Sequence, residues 1–197
     1  QGMGFIYIKG HGIQEASIKA ARASALAFFH HSTTDKSAVT ISNKHRGWLG
    51  RGGAVMADGA KSDLKESFIW GAEDDDGNTA EDHPLRGQNQ WPAFVPELQR
   101  HAMDYFHQAH EVALHLMRGF ALGLDLEEEY FLRSNAAPLS RASFVYYPRQ
   151  LEDLGAAQYG VGPHTDFGVL TVLCQDAVGG LQVEDISGKW IEAPPIE

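Results

Sequence analysis

After Pro138 the chain changes its repeat. Before it, apolar residues recur at the three-to-four-residue spacing of helices. After it, short β-branched and aromatic runs are punctuated by glycine turns. Helices first and strands later do not build the alternating strand–helix units of a parallel sheet. The pattern predicts an α+β fold. Residues 1–137 would form a helical region, and residues 138–197 the start of a strand-rich sandwich or barrel.

Within the first region, Gln14 to about Phe29 is rich in Ala with few breakers and predicts a helix. Pro96 to about Leu124 predicts a longer one, with Met103, Phe106, His110, Ala113, Leu114, Met117, Phe120 and Ala121 on one apolar stripe. Gly123 would end it, and a short helix would follow over Leu126 to Leu132. Residues 32 to 91 read as irregular, with a Gly-rich loop at Gly50 to Gly53 and a solvated acidic run from Glu73 to Asp76. Gly4 to Ile8 is strand-like. Ala142 to Tyr147 is β-branched and aromatic and stops at Pro148. Val169 to Cys174 is continuously apolar, which predicts a strand buried on both faces. Leu181 to Glu184 alternates and reaches Trp190-Ile191 through Ser187-Gly188-Lys189, which predicts a hairpin.

The formal net charge is -10, which argues against a nucleic-acid or anionic-membrane partner, whose binding draws on clustered Lys and Arg. A small anion is still admissible, because one placed Arg can hold a carboxylate. Cys174 is the single cysteine, so the chain has no internal disulfide and no thiolate metal cage, as expected of a cytoplasmic protein. No apolar run is long enough to span a bilayer. The chain starts at Gln1 on a strand-like run and stops at Glu197 after a series of strand signals. A fragment, truncated at its C-terminus, is the expectation.

His164-Thr165-Asp166 lies between Gly162-Pro163 and the apolar run. In extended backbone, residues i and i+2 face one side, so an imidazole and a carboxylate converge. With one further His they would form the facial triad of a non-haem iron(II) oxygenase, leaving open positions on the metal. Spacing alone favours a turn in which Asp166 caps backbone amides and His164 is a surface residue.

The surrounding residues are more specific. Gly162-Pro163-His164-Thr165-Asp166-Phe167-Gly168, Leu170 to Leu173, Gly179 to Val183 and Trp190 to Pro195 resemble the isopenicillin N synthase-like family of iron(II)/2-oxoglutarate oxygenases. So do Gly4 to Tyr7, His11-Gly12-Ile13, Arg46-Gly47-Trp48, Asp63 to Phe68, Asn89 to Pro92 and Tyr146-Tyr147-Pro148, so that the resemblance covers nearly the whole chain.

The resemblance implies a distorted double-stranded β-helix (jelly roll) flanked by helices. It places iron(II) on His164 and Asp166, and the carboxylate of a 2-oxoglutarate cosubstrate at Tyr147, whose other reading is core packing. Relatives often carry Asn two positions before that Tyr; here Val145 stands there. The implied third ligand and a carboxylate-binding Arg fall past Glu197, since no His follows His164 and no Arg follows Arg149. The activity implied is oxidation of a small molecule with dioxygen, giving succinate and carbon dioxide. Two other functions stay open. One is an oxidase of the same family that does not use 2-oxoglutarate. The other is a non-catalytic jelly-roll binding module, should the natural chain end at Glu197.

His107, Glu111 and His115 share a helix face but lack the His-Glu-x-x-His order of zinc hydrolases, so a solvated face is expected. His110 reads as a satisfied core residue, His30-His31 as a helix end, Cys174 as buried, and Arg46 and Lys65 as surface charges.

Overall fold

The computed structural model describes residues 4–53, 63–72, 83–133, 139–149 and 159–196. The acidic run Glu73 to Asp76 and Pro138 lie outside them. Helix α1 spans Glu15–Phe29 and α2 spans Thr33–Ser37. Strands β1 (Gly47–Leu49) and β2 (Glu66–Gly71) precede the long α3 (Glu97–Gly123) and the short α4 (Tyr130–Arg133). Strand β3 (Arg141–Tyr146) follows, then β4 (Gln182–Glu184) and β5 (Trp190–Glu192).

The sequence accounts for α1 and α3. Ser17, Ala21, Ser24, Ala25 and Phe28 return to one face of α1 and are buried there. Leu98, Ala102 and Phe106 do the same at the start of α3. The apolar stripe of α3 is less covered towards its end, where Phe120 is exposed. Gly123 does not provide the left-handed stop. Asp125 takes it, with φ 56°. The Asp125 N–H donates to the Leu122 carbonyl and the Leu126 N–H to the Ala121 carbonyl, the paired bonds of a Schellman turn. Helix α4 begins at Tyr130, later than expected, because that turn occupies the residues before it.

Among its described residues, the stretch from 32 to 91 is not wholly irregular. It supplies α2, capped by the Ser32 hydroxyl accepting from the Asp35 N–H, and two strands. Strand β2 is the centre of a three-stranded antiparallel sheet, β1-β2-β3. Glu66 pairs with Tyr146 and Gly71 with Arg141, so this ladder joins the two regions expected from the change at Pro138.

Phe28, Phe68, Trp70 and Leu98 are fully buried where α1 and α3 meet the sheet. The Phe28 and Phe68 rings are 4.9 Å apart, and those of Trp70 and Phe144 4.3 Å. Ala142, Phe144 and Tyr146 turn one face of β3 to this core, while Arg141, Ser143 and Val145 face away. Fully burying each large apolar side chain contributes about 2 kcal/mol. Helices and strands therefore sit in two layers, as α+β predicts.

Strands β4 and β5 form the expected hairpin, closed by Asp185, whose carboxylate accepts from the Ser187 and Lys189 N–H groups. Those bonds hold the Asp185 carboxyl below its usual range, with the Ser187 hydroxyl the largest cause.

Two strand expectations fail. Among the described residues, Gly4 to Ile8 has no ladder partner and Phe5, Ile6 and Tyr7 are exposed. Val169 to Cys174 is likewise outside any ladder, with Val169 and Leu173 exposed. An apolar run becomes a buried strand only when neighbours supply hydrogen bonds and cover both faces. Instead, side chains pin this run. Arg22 of α1 donates to the Gln175 carbonyl at 3.2 Å, and the Tyr105 hydroxyl of α3 meets the Cys174 thiol. Cys174 is exposed rather than buried. Among the described residues, no helix is long and apolar enough to cross a membrane.

Candidate functional site

Gly162-Pro163 sets up the candidate site. Pro163 fixes its own φ and disfavours helical backbone at Gly162, just ahead of His164. His164 Nδ1 lies 2.8 Å from the Gly162 carbonyl oxygen. That oxygen can only accept, so Nδ1 is the donor in this bond. Nε2 in turn lies 3.3 Å from Asp166 Oδ1. Both side chains are partly open to solvent.

This donor pair suits a divalent metal. Two adjacent ligands, each about 2.1 Å from an octahedral ion, lie about 3 Å apart. The observed separation is close to that, and an imidazole with a carboxylate matches two members of a facial triad. Among the described residues, no third His, Cys, Asp or Glu joins them.

Tyr147 follows β3 directly and is half-exposed. Gly160 packs on its ring: a Cβ there would fall 2.7 Å from a ring carbon, so a side chain would push the two apart. Burial, and then the nearby Asp63 carboxylate, push the Tyr147 phenol above its usual value. It therefore stays a neutral hydrogen-bond donor at all ordinary pH.

The other residues weighed take structural roles. On the α3 face, His115 Nδ1 lies 2.7 Å from the Glu111 carbonyl oxygen, an ordinary bond within the helix. His110 has a partner in the Ser140 hydroxyl at 3.2 Å and stacks on Phe106. His30 is the C-cap of α1. Arg46 is not a surface charge but 2% exposed, its guanidinium beside the carbonyls of Lys44 and His45. Lys65 is also drawn in, with Nζ 3.3 Å from Asp63 Oδ2. Asp63 itself is 3% exposed and accepts from the Gly162 N–H at 3.1 Å. Sequence reasoning grouped Asp63 with its neighbours but gave it no role. Nothing local marks a carboxylate whose partner is 99 residues away.

Comparison with known proteins agrees with the geometry. Residues 1–94 match the family profile described as non-haem dioxygenase in morphine synthesis N-terminal, and residues 138–197 match the 2OG-Fe(II) oxygenase superfamily. The 2-oxoglutarate-Fe(II) type oxidoreductase hxnY of Emericella nidulans is 33% identical over 98% of this chain and 58% of its own length. Homoarginine-6-hydroxylase 2-ODD-C23 of Glycine max is also 33% identical, over 98% of the chain and 60% of its own length. Among solved structures, a full-length Neurospora crassa protein in complex with alpha-KG superposes with a TM-score of 0.82 at 28% identity, over 99% of this chain and 61% of that one. The chain thus spans roughly three-fifths of these relatives' lengths. Two family profiles in order along one chain, around a converging His and Asp, lead to one conclusion: the chain belongs to the 2OG-Fe(II) oxygenase family.

Proposed function

We propose that the protein is a non-haem iron(II)- and 2-oxoglutarate-dependent dioxygenase acting on a small organic molecule. The observation that carries this reading is the approach of His164 Nε2 to Asp166 Oδ1, two donors of the right kind at the separation one metal ion needs. Family membership supports it, as do relatives named for small-molecule oxidation, such as validamycin A dioxygenase.

In this reading residues 138–197 are the first part of a jelly roll and residues 1–137 its helical N-terminal region. His164 and Asp166 hold the iron, with Nδ1 of His164 tied to Gly162 so that Nε2 faces the ion. Tyr147, held neutral, donates to a carboxylate of 2-oxoglutarate. Iron bound there would supply the redox chemistry of the reaction. The overall balance is one dioxygen, one 2-oxoglutarate and one C–H bond converted to succinate, carbon dioxide and one C–OH. The residues of this chain orient the ligands and leave the remaining coordination positions free.

The test is succinate formation by the full gene product, given iron(II), 2-oxoglutarate and a panel of small molecules, or uncoupled turnover without them. Iron-dependent succinate that His164→Ala abolishes supports the reading. Equal turnover by that variant overturns it.

A further inference from the structure

Asp63 lies just ahead of β2 in a segment with no chemistry of its own, yet its carboxylate is 3% exposed. Burying a carboxylate costs several kcal/mol unless it is paired and hydrogen-bonded. One ion pair and one hydrogen bond offset part of this cost, while Oδ2 accepts no hydrogen bond. Lys65 Nζ faces Oδ2 at 3.3 Å, and the Gly162 N–H donates to Oδ1 at 3.1 Å. The backbone reinforces this contact. The Leu64 N–H donates to the Gly160 carbonyl at 3.0 Å, and the Gly52 N–H to the Asp63 carbonyl at 3.1 Å. The segment from 160 to 162 is thus clamped at two points to the residues that enter the central strand of the sheet.

From Gly162 the restraint passes on. Its N–H is held by Asp63, and its carbonyl accepts from His164 Nδ1. The φ and ψ of Gly162 separate these two groups, and Pro163 restricts that ψ and fixes its own φ. Moving Gly162 therefore turns the imidazole and changes where Nε2 points relative to Asp166.

We propose that Asp63 is a positioning residue for the metal site: through Gly162 it fixes the orientation of His164. This deepens the reading of His164 and Asp166 as metal ligands and rests on it.

The test uses the full-length protein and Mn(II) alone, without cosubstrate, so that it does not depend on turnover. Wild type and His164→Ala are titrated first. Equal Mn(II) affinity in these two sinks the ligand assignment itself, separately from the role of Asp63. Given a His164-dependent site, Asp63→Ala is expected to weaken Mn(II) binding about tenfold or more, the usual scale for losing an outer-shell partner. Asp63→Asn keeps an acceptor for the Gly162 N–H and is expected to stay within about threefold of wild type, whatever it costs in stability through Lys65. Hydrogen exchange at the Gly162 amide supplies an independent readout, with protection expected in wild type and Asp63→Asn and lost in Asp63→Ala. Unchanged Mn(II) affinity in a folded Asp63→Ala overturns the proposal. Should that variant not fold, Asp63→Asn decides. A tenfold loss there, or a Gly162 amide that exchanges in wild type like an unstructured peptide, overturns it equally.

Discussion

Lys36 Nζ lies 2.6 Å from Glu66 Oε2, joining the short α2 to the first residue of the central strand with both side chains largely out of water. The ammonium also donates to the Phe29 carbonyl at the end of α1, and the Trp48 indole N–H donates to the same Glu66 oxygen at 2.8 Å. One buried pair thus ties α1, α2, β1 and β2. Removing one partner strands the other charge in a desolvated site, which costs more than the pair contributes when intact. Lys36→Met is therefore expected to destabilise the fold by about 3 kcal/mol in urea unfolding. Lys36→Met with Glu66→Gln should recover part of that. A single substitution costing under 1 kcal/mol would contradict this account.

The metal ligands should behave in the opposite way. His164 and Asp166 are partly solvent-exposed and contribute little to the core. His164→Ala and Asp166→Ala are each expected to abolish iron-dependent succinate formation by the full-length protein while changing stability by no more than about 1 kcal/mol. Parallel activity assays and thermal melts check both halves.

Exposed Val169, Leu173, Val178 and Ile186 should favour aggregation of the 197-residue chain expressed by itself, readable by light scattering. A monodisperse chain at high concentration would contradict this.

Tyr105 gives a pH dependence with a definite sign. Burial, then the neighbouring Cys174, push its phenol up to about 12 from a usual 10. A raised folded value means that the folded state holds this proton more tightly than the unfolded chain. The associated stability is fully present below pH 10 and is lost as pH rises towards 12. Tyr105→Phe should therefore flatten part of the alkaline fall in stability measured between those limits. Identical alkaline profiles for wild type and variant would contradict the assignment.

What could be read along the chain was whatever neighbours along the chain decide. Helices α1 and α3 follow from apolar residues three and four apart. The β4–β5 hairpin follows from alternation around Ser187-Gly188. The approach of His164 to Asp166 joins two positions only two residues apart. Each depends on contacts within a few residues, so the sequence by itself determined it.

Tertiary structure decided the rest, because a strand and a buried charge are defined by partners far off in sequence. Glu66 to Gly71 lies in a stretch that looks irregular, and becomes the central strand only because β1 and β3 flank it. Val169 to Cys174 has a stronger strand signal, yet lies outside any ladder among the described residues. Asp63 looks like one more surface carboxylate until folding places Gly162, 99 residues later, against it. Local periodicity sets which backbone a segment prefers. Hydrogen-bond partners and desolvation set what that segment becomes, and both arise only when distant segments meet.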